Sequence, residues 1–101
     1  MIIVAGKAKL APGALAKVQS ELKTLVRETR KEKGCIDYSV GADAIEPDTL
    51  VISEMWEGLD ALGPHMKTPH MAAWMKKLGE VGVVSTDIRF FEAGEEHKLL
   101  G

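Results

Sequence analysis

From residue 2 to residue 10 the chain alternates, with Ile2, Val4, Gly6, Ala8 and Leu10 on one side and Ile3, Ala5, Lys7 and Lys9 on the other. A two-residue period of this kind describes a strand with one face more buried than the other. Pro12-Gly13 punctuates the chain, and the period then changes. Between Ala14 and Lys33, Leu15, Val18, Leu22, Leu25 and Val26 recur at three- and four-residue steps, while Lys17, Glu21, Lys23, Arg27 and Glu28 take the opposite face. This predicts an amphipathic helix stopped by Gly34. Ile36, Tyr38 and Val40 alternate with Cys35, Asp37 and Ser39 as a second strand. The turn residues Glu46-Pro47-Asp48 separate it from a third at about Leu50 to Glu57, and the simplest connection pairs the two antiparallel. Gly58 to Met66 reads as a short helix, Pro69 suits the first turn of another running to about Gly82, and Val83 to Glu92 closes as a fourth strand.

The order strand, helix, strand, strand, helix, strand is the split βαβ arrangement of an α+β ferredoxin-like fold with a four-stranded antiparallel sheet. A single domain over residues 1–94 is expected, with 95–101 as a tail. Helices cover one face of such a sheet. The alternating apolar residues on the other face predict a cover from a second molecule, hence a homodimer formed through the sheet faces.

Composition narrows the classes. The chain has 101 residues, 46% of them hydrophobic and 28% charged, the proportions of an ordinary globular domain. A net charge of -2 and scattered lysines supply no basic footprint for nucleic acid. The N-terminal MIIVAGKAKLAPG is too short and interrupted for a signal peptide or membrane span, so a cytoplasmic protein with no membrane partner is expected. Cys35 is the single cysteine, which removes any disulfide framework or thiol cluster and leaves a packed strand residue as the default.

Candidate chemistry concentrates between Ser53 and His70, in SEMWEGLDALGPHMKTPH. His65 stands among Leu62, Met66 and Met71, where it is either a helix-end histidine bonded to a carbonyl or a general base facing an apolar pocket. His70 lies one turn before Trp74, where its ring could simply stack. Five residues separate His65 from His70, not the four that place two imidazoles on one helical face. No third ligand stands nearby in sequence, so no metal is expected. His97, in the charged tail, reads as a solvated surface residue. Glu54 shares a strand face with Leu50, Ile52 and Trp56, which makes it either a pocket carboxyl or one half of a buried pair. Trp56 and Trp74 are core residues by default, as are Met71, Met75 and Leu78, though methionine-rich walls also accept flat ligands. Asp87 and Arg89 read as a surface pair. No phosphate-binding glycine fingerprint and no nucleophile elbow occur.

Several segments together resemble the antibiotic-biosynthesis monooxygenase family: Pro12-Gly13, EKGCIDY from Glu32 to Tyr38, Pro47, SEMW from Ser53 to Trp56, ALGPHMKTPHM from Ala61 to Met71, and DIRFFEAG. The TPHM segment and the Ile-Arg strand look most like its small bacterial quinol monooxygenases. The resemblance implies a dimeric α+β barrel and oxidation of a small aromatic hydroquinone or phenol by dioxygen without metal or flavin. It implies His65 as base, with Glu54 or His70 orienting it or handling a second proton. Tyr38, Trp56, Leu62, Met66, Met71 and Trp74 would contact the substrate. The haem-degrading branch uses an asparagine, and this chain has none. Two alternatives remain: an isomerase or tautomerase of a small phosphorylated dicarbonyl, with Lys67 meeting the phosphate, and a non-catalytic small-molecule binding protein.

Overall fold

The computed structural model describes residues 1–101. Its elements are β1 (Ile2–Leu10), α1 (Ala14–Lys17), α2 (Gln19–Thr29), β2 (Cys35–Ala42), β3 (Thr49–Trp56), α3 (Leu59–His65), α4 (Pro69–Val81) and β4 (Val83–Glu92). The four strands form one antiparallel sheet in the order β2-β3-β1-β4, the ferredoxin-like arrangement. The tail after Glu92 contains no helix or strand, and no helix is long and apolar enough to cross a membrane.

One predicted helix is two. The segment from Ala14 breaks at Val18, whose φ of -113° and ψ of 8° leave the helical region, and α2 ends at Thr29, short of Lys33. Val18 is fully buried, so packing of its side chain governs the chain direction there. Gly34 does not stop the helix. Its φ of +83° instead turns the chain into β2, with Ala61 packed where a side chain would stand. Asp48 ties β3 back to the start of α1, its carboxylate accepting from the backbone N–H groups of Gly13 at 2.9 Å and Leu15 at 3.1 Å. These bonds hold the Asp48 carboxyl below its usual range.

The core lies between the helices and one face of the sheet. Ile2, Val4, Ala8 and Leu10 of β1 meet Leu22 and Leu25 of α2 and Met71, Trp74 and Leu78 of α4, all buried. The helix-free face is less apolar than the strand alternation predicts. Directly paired positions there include Lys7, Ser53, Asp87 and Arg89, with exposed Val51 opposite Lys7, and an apolar row of Ile3, Met55 and Phe91 stands at one end. The apolar set was drawn to the helix side, where α2 and α4 remove it from water.

Edge strand β4 is exposed along its whole length. On its helix-side face Ile88 is 45% and Phe90 56% exposed, because the helices pack over β1, β2 and β3 and stop short of it. Asp87 and Arg89 form the expected exposed pair at 3.0 Å.

Candidate active site

The turn between α3 and α4 explains how two histidines five residues apart converge. Pro64 sits in the last turn of α3, and the His65 carbonyl accepts both the Thr68 backbone N–H at 3.2 Å and the Thr68 hydroxyl at 2.8 Å. The same hydroxyl caps α4 by accepting from the Met71 backbone N–H at 3.3 Å, and Pro69 occupies the first turn. The chain therefore reverses between the rings, whose centroids end 6.2 Å apart. A continuous helix would have splayed them.

Between them stands Glu32, from the loop joining α2 to β2. Its Oε2 lies 2.8 Å from His65 Nδ1 and 2.8 Å from His70 Nε2. Nearby, Arg30 Nε donates to the Tyr38 carbonyl at 2.9 Å and pins this loop to β2. His65 is 1% exposed, held between the Trp56 ring, with centroids 4.8 Å apart, and the Tyr38 edge at 5.4 Å. Its Nδ1 is committed to the Glu32 carboxylate, which leaves Nε2 as the ring's free lone pair. Two imidazole nitrogens and a carboxylate oxygen are also donors of the kind that transition metals accept.

A cavity of about 690 Å³ opens between helices and sheet toward β4. His65, Glu54, Tyr38, Leu62, Met66, Met71 and Trp74 line it, with Ile88 and Phe90 at its β4 side. Two expected site residues stand elsewhere. Trp56 is completely buried and backs His65 without reaching the cavity. His70 does not stack on Trp74; its Nε2 is tied to Glu32, and it lines a separate depression of about 190 Å³ between α2 and α4. Lys67 is also outside the cavity lining, where Arg89 is the one cation.

Glu54 makes no hydrogen bond to a histidine. Its Oε1 accepts from Trp56 Nε1 at 2.9 Å, and desolvation in the apolar cavity raises its carboxyl above the usual carboxylate range, against the lowering effect of the indole bond and His65. Burial, with Glu54 and Glu32 adding, also pushes the Tyr38 phenol far up, so Tyr38 remains a hydroxyl and cannot serve as base. Burial and the same two carboxylates raise the Cys35 thiol, which argues against a nucleophilic role. Glu32 was the residue missing from the sequence reading. It begins the EKGCIDY segment, but nothing in its spacing ties it to a histidine 33 residues on.

Residues 1–77 match the family model for antibiotic biosynthesis monooxygenases. The chain belongs to the antibiotic biosynthesis monooxygenase family. Among curated relatives, it is 28% identical over 104 residues to the probable quinol monooxygenase YgiN of Escherichia coli K12, covering 93% of this chain and 99% of that protein. It is also 28% identical over 98 residues to the uncharacterized protein sll1783 of Synechocystis, covering 97% of this chain and 67% of the other. The fold matches a candidate antibiotic biosynthesis monooxygenase from Deinococcus radiodurans with a TM-score of 0.90, 29% identity and full coverage of both chains. A conserved protein from Methanosarcina mazei Go1 matches with a TM-score of 0.82 and 29% identity over 92% of each chain. For this family member the cavity and its histidine are the natural place to look for chemistry.

Proposed function

We propose that this family member is a cofactor-independent monooxygenase that oxidises a small aromatic hydroquinone or phenol with dioxygen, using His65 as general base. The observation that carries the reading is a nearly dry imidazole in the wall of an apolar cavity, fixed through Nδ1 by the Glu32 carboxylate at 2.8 Å.

A substrate hydroxyl gives its proton to His65 Nε2, and Glu32 stabilises the resulting imidazolium and holds its tautomer. The electron-rich anion then transfers an electron to dioxygen. For a hydroquinone, the two electrons and two hydrogens given up reduce one oxygen atom to water while the other enters the hydroxyquinone product. The protein's share is proton removal, orientation and exclusion of water. A phenolic pKa near ~10 lies about three to four units above an ordinary imidazole, so the cavity has to favour the anion. Glu54 lines the same cavity and, when protonated, would donate a hydrogen bond to it.

Ile88 and Phe90 leave the β4 side of the cavity open, and Ile3, Met55 and Phe91 form an apolar patch on the helix-free face. A homodimer through the sheet faces would cover that patch. Lys67, the residue that would meet the phosphate in the isomerase reading, lies outside the cavity lining. Oxygen uptake with a panel of hydroquinones and polycyclic phenols, corrected for autoxidation, tests the reading. Saturable, enzyme-dependent uptake is expected; saturable ligand binding with no uptake on any substrate would replace it with the binding-protein reading.

A further inference from the structure

We infer that Glu32, His65 and His70 form a binding site for a divalent transition-metal ion of the zinc, cobalt and nickel class, behind the His65 wall of the substrate cavity. The candidate ligand atoms are Glu32 Oε2, His65 Nδ1 and His70 Nε2, and all three lie within 4.8 Å of one another. They come from three different segments: the α2–β2 loop, the end of α3 and the first turn of α4.

The donor set selects the ion. Two imidazoles and one carboxylate suit zinc-class ions, whereas calcium and magnesium require oxygen ligands throughout. At ligand distances of about 2.1 Å, donors on one ion stand roughly 3.0–3.4 Å apart. The two nitrogen–oxygen separations, 2.8 Å each, are already close to that edge. Shifts of each imidazole by less than about 1 Å bring the nitrogens into the same range. Of the three, His70 also lines the depression between α2 and α4 with Ser20, Glu21 and Thr24, and its side chain is 16% exposed, so an ion can approach it without passing through the substrate cavity.

An ion on His65 Nδ1 requires the lone pair there, so the ring's single proton moves to Nε2, and the proton of His70 likewise moves from Nε2 to Nδ1. The consequence rests on the proposed role of His65: an imidazole that carries its proton on Nε2 cannot accept one from substrate. The ion is therefore an inhibitor of the reaction and no part of its machinery.

The test uses the whole chain, stripped with chelator and titrated with Co2+ alone by visible absorption and with Zn2+ alone by calorimetry. One ion per chain is expected, with affinity reduced at least 100-fold in both Glu32→Gln and His70→Asn and unchanged in His97→Ala, each shown folded by circular dichroism. Absence of saturable one-to-one uptake, or uptake that neither variant weakens, would overturn the site. Oxygen uptake is read separately: the zinc-loaded protein should be inactive and regain activity with chelator. If His65→Gln abolishes uptake but zinc at full occupancy does not, the inhibitory role is wrong. If His65→Gln remains active, the base assignment fails while the binding data still decide the site.

Discussion

The carboxylate of Glu32 and the imidazole of His65 meet at 2.8 Å across 33 residues of chain, and that contact determines which nitrogen of the ring is free. A carboxylate on Nδ1 keeps a proton there and leaves Nε2 as a lone pair. The same oxygen accepts from His70 at 2.8 Å, so one carboxyl group orients two rings that face different hollows.

Replacing Glu32 by Gln keeps the shape and removes the charge. The imidazolium formed during proton transfer loses its partner, and the tautomer is no longer enforced. Turnover is expected to fall about 100-fold with KM changed little, and the pH profile of kcat should move. Steady-state oxygen uptake across pH measures both; equal effects on KM and kcat would indicate a disturbed cavity instead.

Glu54 gives a pH-dependent stability prediction. Burial raises its carboxyl in the folded state, so folding favours the protonated form. This contribution is fully present below the unfolded carboxyl pKa and is lost as pH rises through the raised folded value. At pH 7 the native protein therefore bears the cost of burying this carboxyl group. Glu54→Gln retains an acceptor for Trp56 Nε1 and should raise Tm by about 3 °C at pH 7, with the gain disappearing below about pH 4. Thermal melts at the two pH values check the sign. A lower Tm at pH 7 would mean that the ionised form is the one the fold prefers.

Gly6 holds β4 to the sheet. A Cβ there would collide with the Asp87 carbonyl oxygen and stand 2.6 Å from Ile88 Cα, so the strand would have to move. Gly6→Ala should cost about 3 kcal/mol by chemical denaturation and, because Ile88 and Phe90 are on the displaced strand, raise KM in whatever protein remains folded. A loss below about 0.5 kcal/mol would show that β4 yields at little cost.

Half-buried Ile3 and Met55 beside exposed Phe91 predict self-association. Equilibrium sedimentation at micromolar concentration should give twice the chain mass, and Phe91→Lys should shift the species toward monomer. A monomeric native protein would remove the dimer from the account.

Most of the fold was legible because periodicity is local. Each strand and both principal helices follow from alternation or three- and four-residue spacing, and Gly13, Pro47 and Pro69 punctuate them. The break at Val18 was not legible, since a β-branched residue in helical register carries no sign of a kink imposed by packing. The site was half legible. His65 and Glu54 stand where an apolar stretch with titratable groups suggested, in the cavity wall, and Tyr38, which only the family resemblance supplied, lines it too. Glu32 was hidden because its partner is distant in sequence, and His70 was misplaced because helical spacing does not describe a turn. The helix-free face was read as too apolar: its alternation is real, but Lys7, Ser53, Asp87 and Arg89 occupy its middle.

The base assignment is the centre of the account. His65→Ala would confuse matters, because the ring packs on Trp56 and Tyr38 at 1% exposure and its removal leaves a void. His65→Gln fills more of that space without supplying a base. Its rate of oxygen uptake, on the best hydroquinone found for the metal-stripped native protein, is the decisive measurement. A fall of at least about 100-fold, with the variant folded and still binding the hydroquinone, is the predicted result. A folded His65→Gln that consumes oxygen at the native rate would contradict it.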